Sequence, residues 1–303
     1  MNSEDQQNRV TVGCCNFSPT WADKTANLEK ILTMTKTAAE MGCNLVVFPE
    51  LALTGYECEN QEGCSQSGLH KKLAEPIPGP STRKIQELAA SEGLHVIVGL
   101  PEIGSQDRRV IYDSAVLVGP KGILGIYRKI TLGAPPVWSE QLCFSGGAGI
   151  MKEIPVFETP FGGVGISICY DFWRFPEISR IQALKGAELL VNPTAGWSAP
   201  GGEPQSHMEI ITAARATENI CYAMSANMVG KERTKEYYGH STIAGPDYYR
   251  QTRIYAVGGK GEEIVTASLS LDELHLMRRR LPYLEDRRKF CSALVLDELR
   301  RLS

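Results

Sequence analysis

The segment VGISICYDFWRFPE, residues 164–177, holds the side chain best suited to covalent chemistry. Its apolar first half predicts a buried strand that delivers Cys169 at its end, and Pro176 predicts the start of a helix. A thiol between a strand end and a helix N-terminus has a lowered pKa and acts as a nucleophile. Composition alone favours one more buried cysteine, whereas the polar Tyr170 and Asp171 behind the thiol favour the nucleophile, so both readings stay open.

A cysteine nucleophile needs a proton acceptor, and Glu50 is the candidate. It follows an apolar strand in LVVFPELALTGY, where burial would raise its pKa towards neutrality and suit it to general base catalysis. The alternative is that Glu50 caps the following turn. The histidines, at positions 70, 95, 207, 240 and 275, lie in no recognisable papain-like or caspase-like signature.

Two further charged residues could complete a catalytic group. Lys129, in GIYRKITL, would stay cationic between carboxylates in a dry pocket and stabilise an oxyanion. A lysine at the end of a hairpin is, however, most often a solvated surface charge. Glu140, in WSEQLCFSGG, would either support such a lysine as a neighbouring carboxylate or carry a loop charge.

The elements that must position these residues alternate between strands and helices early in the chain, which indicates an α/β fold. Apolar spacing and turn residues predict where each element lies. Strands are expected at residues 9–15, 45–48, 95–100, 114–118, 122–127, 164–168, 188–191 and 222–226, with more β structure over 243–269. Helices are expected at residues 23–41, 80–93, 175–184 and 206–219, with a charged helix after 271 and an irregular stretch over 131–149.

Composition and charge exclude several classes of protein. Of the 303 residues, 43% are apolar and 22% are charged, so the chain is not disordered. A net charge of −3 without a basic block argues against a nucleic-acid partner. The first ten residues contain no apolar signal segment, and no apolar run approaches the ~18 residues of a membrane span. We therefore expect a cytoplasmic protein without a membrane partner.

The cysteines of the sequence predict neither a disulfide framework nor a metal site. Nine cysteines, an odd number scattered through apolar segments, are typical of a reduced interior. Cys58, Cys64 and His70 could be drawn as metal ligands, but five residues separate each pair, and this spacing matches no common zinc pattern.

Taken together and in this order, these segments resemble the nitrilase superfamily of carbon–nitrogen hydrolases. The resemblance covers residues from about 10 to about 274. The motif positions are Glu50 in FPELALTGY, Lys129 in YRK, Cys169 in CYD with FPE following, and Glu140 with Phe144 and Gly147 behind it. Two later stretches also fit, ARATENICYAMSAN at residues 214–227 and GHSTIAGP at residues 239–246.

The resemblance implies an α/β fold in the form of a four-layer α-β-β-α sandwich. It implies one domain over residues 1–303, with a core at about 10–274 and a helical tail at about 271–303. Glu50, Lys129 and Cys169 would form a Glu–Lys–Cys triad, and Glu140 would orient the lysine or the substrate. No metal or organic cofactor is implied. The outer helices would join copies into a homodimer or a larger homo-oligomer.

The chain departs from the family pattern at two places. Thr131 stands where family members often have a histidine, two residues after the lysine. Three residues, Phe172 to Arg174, separate Asp171 from FPE, where the family usually has two. The triad is intact, but the insertion leaves open which side chains after Asp171 line the pocket.

The implied chemistry is hydrolysis of a small amide through a cysteine thioester, with Lys129 and the Tyr170 N–H holding the oxyanion. The pair Tyr170–Asp171 favours an amide or N-carbamoyl substrate, because nitrilases proper tend to carry Trp-Glu after the nucleophile. Three alternatives remain: a nitrilase, an acyltransferase that passes the thioester to an amine, and a non-enzymatic interaction protein on this fold.

Several side chains could contact the substrate. Arg174 lies just after the nucleophile, where its guanidinium could hold a substrate carboxylate or could instead pair with Asp171 or Glu177. The aromatic candidates for the pocket rim, a type of residue that more often packs in cores, are Tyr56, Trp138, Trp173 and Trp197.

Overall fold

The computed structural model describes residues 8–57, 68–134, 139–198, 207–247 and 249–302. Its strands are β1 (Arg9–Asn16), β2 (Leu45–Val47), β3 (His95–Ile103), β4 (Ile111–Gly119), β5 (Gly122–Arg128), β6 (Phe157–Thr159), β7 (Gly162–Ile166), β8 (Ala187–Thr194), β9 (Trp197–Ser198), β10 (Tyr222–Asn227), β11 (Val229–Glu232), β12 (Lys235–Tyr238), β13 (Thr242–Asp247), β14 (Gln251–Val257) and β15 (Glu263–Ser270). Its helices are α1 (Lys24–Glu40), α2 (Leu69–Leu73), α3 (Pro80–Glu92), α4 (Glu140–Cys143), α5 (Tyr170–Arg174), α6 (Pro176–Leu184), α7 (His207–Asn219), α8 (Leu271–Arg280), α9 (Tyr283–Phe290) and α10 (Ser292–Leu302), with a 3₁₀ turn at Gly147–Gly149.

Within the described residues, these strands form two six-stranded sheets and one small sheet. The first sheet has the order β15-β1-β2-β3-β4-β5, the second has the order β14-β13-β10-β8-β7-β6, and the small sheet has the order β11-β12-β9. The central strands are parallel in both large sheets: β1, β2 and β3 in the first, and β10, β8 and β7 in the second. Parallel strands place their carboxyl ends at one edge of a sheet, where ligand sites of α/β proteins lie.

The two large sheets face each other across an apolar layer. Val12 and Ile97 of the first sheet and Val164 and Leu189 of the second belong to this layer and are fully buried. Central parallel strands are apolar on both faces because each face is covered. Helices complete this arrangement on the outer sides.

Helices cover the outer face of each sheet. Ile31 of α1 and Ile85 of α3 belong to the apolar cluster on the first sheet. Ala183 of α6 and Ala216 of α7 belong to the corresponding cluster on the second sheet. The layers therefore follow the order helix, sheet, sheet, helix, and the prediction of a four-layer α-β-β-α sandwich is confirmed.

Most predicted elements lie where the sequence places them, within a few residues at each end. The predicted helix at 23–41 is observed as α1. It starts after Asp23, because the Asp23 side chain caps it by accepting from the Ala26 N–H at 3.0 Å. Helix α3 begins at Pro80 and ends before Gly93, whose φ of +68° suits glycine.

Two stretches differ from the sequence-based expectation. The stretch expected to be irregular contains α4 and the 3₁₀ turn. The tail forms three helices, and α8 buries Leu274 and Met277 in the layer between the sheets. The Arg278 side chain donates to the backbone oxygens of Ala187 at 2.5 Å and Ile220 at 2.9 Å. The tail is therefore packed on the fold, because its first helix carries apolar residues three positions apart.

The expectation of reduced cysteines is wrong at one position. Among the described residues, six cysteines are free thiols: Cys14, Cys15, Cys43, Cys169, Cys221 and Cys291. Cys143 is instead disulfide-bonded. An odd number of cysteines excludes complete pairing but not a single pair.

Among the described helices, none combines the length and apolar character that crossing a bilayer requires.

Candidate active site

Three loops bring Glu50, Lys129 and Cys169 to the same end of the two sheets. Glu50 lies three residues beyond β2, Lys129 follows β5 directly, and Cys169 lies three residues beyond β7. Strand β5 runs in the same direction as β2, because antiparallel pairings on both sides of β4 reverse the chain twice. All three side chains are buried. The fold thus gathers the three predicted catalytic residues, which lie far apart in the sequence.

Lys129 is the centre of a buried ion-pair network. Its Nζ donates to Oε1 of Glu50 at 2.5 Å and to Oε1 of Glu140 at 2.7 Å. Only 1% of the Lys129 surface is exposed, so the reading as a solvated surface charge is wrong. The Glu50 carboxylate accepts no backbone N–H from the described residues, so the reading as a turn cap is also wrong.

Glu140 has further partners that hold it beside the lysine. The Tyr56 hydroxyl donates to its Oε1 at 2.5 Å, and the Gly133 N–H donates to its Oε2 at 2.8 Å. Glu140 is buried, so it is not a solvated loop charge. Tyr56, expected at the pocket rim, instead makes a hydrogen bond inside the charged cluster.

A second buried glutamate holds the loop that carries Tyr56. Glu232 accepts the backbone N–H groups of Tyr56 at 3.1 Å and Glu57 at 2.6 Å, and the Tyr237 hydroxyl at 2.9 Å. Burial raises the pKa of Glu232 to about 7, although these donors favour its ionised form. The sequence carries no signal for this contact, because Glu57 and Glu232 are 175 positions apart.

The charges of the network set each other's protonation. Burial raises the pKa of Glu50, as predicted, while the Lys129 ammonium opposes this rise. Burial alone would lower the pKa of Lys129, but the carboxylates of Glu140 and Glu50 hold it well above its ordinary value. Burial also disfavours the Glu140 carboxylate, yet Lys129 keeps its pKa below the ordinary value. Lys129 is therefore a cation and Glu140 an anion at neutral pH.

Cys169 lies at a strained turn between the second sheet and α5. Its φ of +47° and ψ of −102° are rarely adopted by a residue with a side chain. Its backbone N–H donates to Oδ1 of Asn192 at 2.9 Å and to the Pro193 oxygen at 3.0 Å. These bonds fix the turn, so the nucleophile candidate is aimed by backbone geometry.

The prediction of a lowered thiol pKa at Cys169 is wrong. Burial and then the Glu50 carboxylate raise this pKa well above its ordinary value, and Lys129 only partly opposes the rise. A low-dielectric site beside a carboxylate disfavours a thiolate more than a single strand end or helix end favours it. The resting group is therefore a thiol, which requires a base to react.

The three residues after Asp171 lie within helix α5. Arg215 of α7 donates from Nε to the Phe172 oxygen at 2.9 Å and from Nη2 to the Trp173 oxygen at 3.2 Å. Asp171 accepts the N–H groups of Ile130 at 2.7 Å and Thr131 at 2.8 Å. Asp171 thus ties α5 to the segment after Lys129, and Thr131 takes part through its backbone.

Asp171 therefore does not pair with Arg174. The Arg174 side chain is exposed and forms no ion pair with Asp171 or Glu177. It lies close enough to His207 to lower the pKa of that imidazole further, after burial. The pairing alternative for Arg174 is wrong, and its side chain is available to a solute.

The predicted aromatic residues occupy different places. Trp173 is half-buried and packs edge-to-face on His207, with ring centroids 5.0 Å apart. Tyr170 packs on Phe175 at 5.5 Å, and Trp197 lies under the Lys235 ammonium at 4.1 Å. Trp138 lies outside the described residues.

Asp113 and Asn192 also lie at the site and are not among the residues predicted from the sequence. Asp113 lies in β4, 1% exposed, with its Oδ2 3.8 Å from the Lys129 Nζ. A single acid within the apolar run IYDSAVLVG was a signal that could have found it. Asn192 lies in β8, and its contact with the backbone of Cys169 had no signal in the sequence.

No three His, Cys, Asp or Glu side chains among the described residues form a group that could hold a metal ion.

Comparisons with known proteins identify the family of this chain. Residues 11–279 match the family model described as carbon-nitrogen hydrolase. A probable nitrilase of Schizosaccharomyces pombe is 33% identical over 284 residues, which cover 92% of this chain and 96% of that protein. The omega-amidase NIT2 of Danio rerio is 32% identical over 273 residues, 88% of this chain and 90% of that one.

A solved structure extends the likeness to three dimensions. Saccharomyces cerevisiae Nit3, a member of branch 10 of the nitrilase superfamily, superposes with a TM-score of 0.76 at 25% identity. The superposition covers 93% of this chain and 97% of that one. The chain therefore belongs to the carbon–nitrogen hydrolase family of the nitrilase superfamily.

Proposed function

We propose that this hydrolase cleaves the C–N bond of a small linear amide or N-carbamoyl compound through a thioester on Cys169. The observation that carries the proposal is the buried contact of Glu50 with Lys129 beside a strained, protonated Cys169. Glu50 is the general base, Lys129 stabilises negative charge, and Glu140 holds the lysine. Two carboxylates buried against one ammonium do not stabilise a packed core, since such charges are costly to desolvate.

In the first half of the reaction, Glu50 accepts the proton of the Cys169 thiol as sulfur attacks the carbonyl carbon. The C–S bond forms while the carbonyl oxygen becomes an oxyanion, which Lys129 and the Tyr170 N–H stabilise. The oxyanion then collapses, the C–N bond breaks, and Glu50 returns its proton to the leaving ammonia or amine. A thioester on Cys169 remains.

In the second half, water attacks the thioester carbon and Glu50 accepts a proton from that water. Collapse of the new oxyanion breaks the C–S bond and releases the carboxylic acid, or the carbamic acid of an N-carbamoyl substrate. The proton on Glu50 passes to the sulfur and restores the thiol. The same residues serve both halves, and the reaction as written uses no cofactor.

An amide is preferred to a nitrile as the substrate. The pair Tyr170–Asp171 and the similarity to a protein named omega-amidase both favour it. The similarity to a protein named probable nitrilase supports a nitrile as the second candidate. An acyltransferase would use the same thioester but would need an added amine to release the acyl group.

We further propose a homodimer or larger homo-oligomer that associates through the outer helices. Ile181 of α6 is 39% exposed and Ile210 of α7 is 60% exposed on this face, which favours burial against a second copy. Sedimentation at micromolar concentration would test it, and a monomer at every concentration would overturn it.

The test of the function joins a substrate panel with mass spectrometry. Primary amides, N-carbamoyl compounds and nitriles are assayed for ammonia release, with and without an added amine. With a slowly cleaved amide, we expect an acyl adduct on the peptide that contains Cys169. Cys169→Ala should abolish turnover and keep the fold, whereas Cys291→Ala, at an exposed free thiol, should change neither. An adduct elsewhere, or no ammonia from any class, would overturn the proposal.

A further inference from the structure

The mechanism leaves one buried acid of the site without a role. Asp113 of β4 lies at the end of the first sheet, where its backbone oxygen accepts the Lys129 N–H at 2.9 Å. Its side chain is buried on the same side, with Oδ2 3.8 Å from the Lys129 Nζ. That separation is too long for a hydrogen bond, so the lysine does not satisfy Asp113.

The Asp113 carboxyl group lies against that of Glu50. Oδ1 and Oδ2 of Asp113 and Oε2 of Glu50 are buried and receive no N–H or hydroxyl from the described residues. The two carboxyl groups flank one ammonium, since the Lys129 Nζ lies 2.5 Å from Oε1 of Glu50 and 3.8 Å from Oδ2 of Asp113. Their interaction raises the pKa of Asp113 and lowers that of Glu50. Two ionised carboxylates only accept, so a hydrogen bond between them requires a proton on one of them.

The charges around the pair identify the group that carries this proton. Among the described residues, the titratable and charged groups facing it are Lys129, Glu140, Cys169, Tyr56 and Tyr237, of which only Lys129 is a cation. Three ionised carboxylates would leave two negative charges uncompensated in a buried site, which is strongly unfavourable. Glu50 and Glu140 accept directly from Lys129 at 2.5 Å and 2.7 Å.

Asp113 therefore keeps the proton. Burial, and next the Glu50 carboxylate, raise the pKa of Asp113 well above its ordinary value, and Lys129 is too distant to reverse this.

We propose that Asp113 is a neutral carboxylic acid that donates a hydrogen bond to Glu50 and thereby positions the general base. The inference rests on the proposed function, in which Glu50 is that base. Lys129 holds Oε1 of Glu50 and Asp113 holds Oε2, so the carboxylate cannot rotate. Each carboxylate oxygen has two lone pairs, so Oε2 keeps one for the proton of the Cys169 thiol. Asp113 is a positioning residue that does not touch the substrate.

Two variants separate the neutral donor from an ionised acid. Asp113→Asn keeps a neutral donor of the same shape, and we expect kcat/KM within about threefold of wild type, since this bond is retained. Asp113→Ala removes the donor, and we expect a loss of about 10- to 100-fold in kcat/KM, the usual effect of a hydrogen bond to a charged group. Thermal unfolding and circular dichroism verify that each variant folds.

The pH profile of kcat/KM gives a readout that a merely structural role would not move. Loss of a donor to the Glu50 carboxylate raises the pKa of Glu50, so the acidic limb of Asp113→Ala should move to higher pH. If Asp113 were ionised, removing its negative charge would move that limb to lower pH. An asparagine variant as impaired as the alanine variant, or a shift to lower pH, would overturn the inference.

Infrared difference spectroscopy tests the protonation without turnover, so its result stands whatever the substrate proves to be. At pH 8, above the pKa of about 7 that burial gives Glu232, wild type minus Asp113→Asn should show the carbonyl band of a protonated carboxylic acid. The band should shift in D₂O. A difference spectrum without this band means that Asp113 is ionised and overturns the inference, even if the hydrolase activity is confirmed.

Discussion

The two sheets supply the candidate site by different physical means. From the first sheet come Glu50 and Lys129, which are held by buried ion pairs at 2.5 Å and 2.7 Å. From the second comes Cys169, which is held by backbone hydrogen bonds to Asn192 and Pro193 at a left-handed φ. Ion pairs position the side chains that come from the first sheet, and backbone hydrogen bonds position the thiol that comes from the second.

This difference separates two requirements of nucleophilic catalysis. Transfer of a proton depends on the pKa values of the base and the nucleophile, which buried charges set. Attack depends on the direction of the sulfur, which a rigid turn sets without any charge. Substitutions on the first-sheet side should therefore alter pH dependence, whereas substitutions of neutral groups on the second-sheet side should alter rate alone.

Replacing the central cation should have the largest effect. Lys129→Met keeps the length of the side chain but leaves Glu50 and Glu140 buried without a cation. We expect a loss of about 3–5 kcal/mol in the free energy of unfolding, as for other broken buried ion pairs. Turnover should fall by at least about 100-fold, since an oxyanion donor is lost. Denaturant unfolding at pH 7 and ammonia release measure the two effects.

The matched control is Lys185→Met, whose ion pair with Glu153 lies at the surface. It should leave turnover unchanged and stability nearly so, because exposed ion pairs contribute little. Equal losses in the two lysine variants would contradict the role of the buried charge.

Glu50→Gln should come next in magnitude. The amide preserves the shape of the side chain but cannot accept the thiol proton, so kcat should fall by about 100-fold or more with KM little changed. Burial raises the pKa of Glu50 above its ordinary value of 4.5, and the base must be ionised. Wild-type kcat/KM should therefore fall as the pH drops through a value above 4.5, and the variant should lack this limb.

Glu75→Gln controls for the loss of a buried carboxylate. Glu75 is 3% exposed, pairs with Lys24 at 2.8 Å and accepts the Ser81 N–H at 2.8 Å at the start of α3. Glu75→Gln should lower the free energy of unfolding without affecting kcat. A Glu50→Gln enzyme with nearly normal kcat would show that another group is the base.

On the second-sheet side, Asn192→Ala removes one of the two acceptors of the Cys169 N–H. We expect a decrease of about fivefold in kcat, because a neutral hydrogen bond contributes about 1 kcal/mol. The pH profile should not move, since no charge changes. The matched control is Ser225→Ala. The Asn192 side chain donates to the Ser225 hydroxyl at 2.9 Å, so this variant removes a contact of Asn192 but keeps the acceptor of the Cys169 N–H, and its effect on kcat should be smaller. A shifted acidic limb in Asn192→Ala would contradict the division between the two sides.

Arg174→Ala should have the smallest effect and reports on the substrate. The guanidinium is exposed, so a contact with a substrate carboxylate would change kcat/KM by about fivefold or less, as for exposed ion pairs. Uncharged amides should be cleaved as by wild type. Arg109→Ala, at another exposed arginine, is the control. A loss of the same size for charged and neutral amides would mean that Arg174 supports α5 instead of contacting substrate.

Much of the fold could be predicted from sequence because local signals specify it. Asp23 and Pro80 mark helix starts, and apolar runs such as LVVF mark buried strands. The segments around Glu50, Lys129 and Cys169 are contiguous, so their motifs could be identified without knowing how they meet. The tail was harder to interpret, since Leu274 and Met277 are surrounded by charged residues that hide their packing.

The sequence by itself therefore determined the order of strands and helices, the family and the three residues proposed for catalysis. Only the tertiary structure decided their protonation. Whether Lys129 is solvated, whether the Cys169 thiol is acidic and whether Asp113 matters all depend on burial and on charges from residues far away in the chain. Electrostatic energies vary with distance and local dielectric, and only the packed sheets set these quantities.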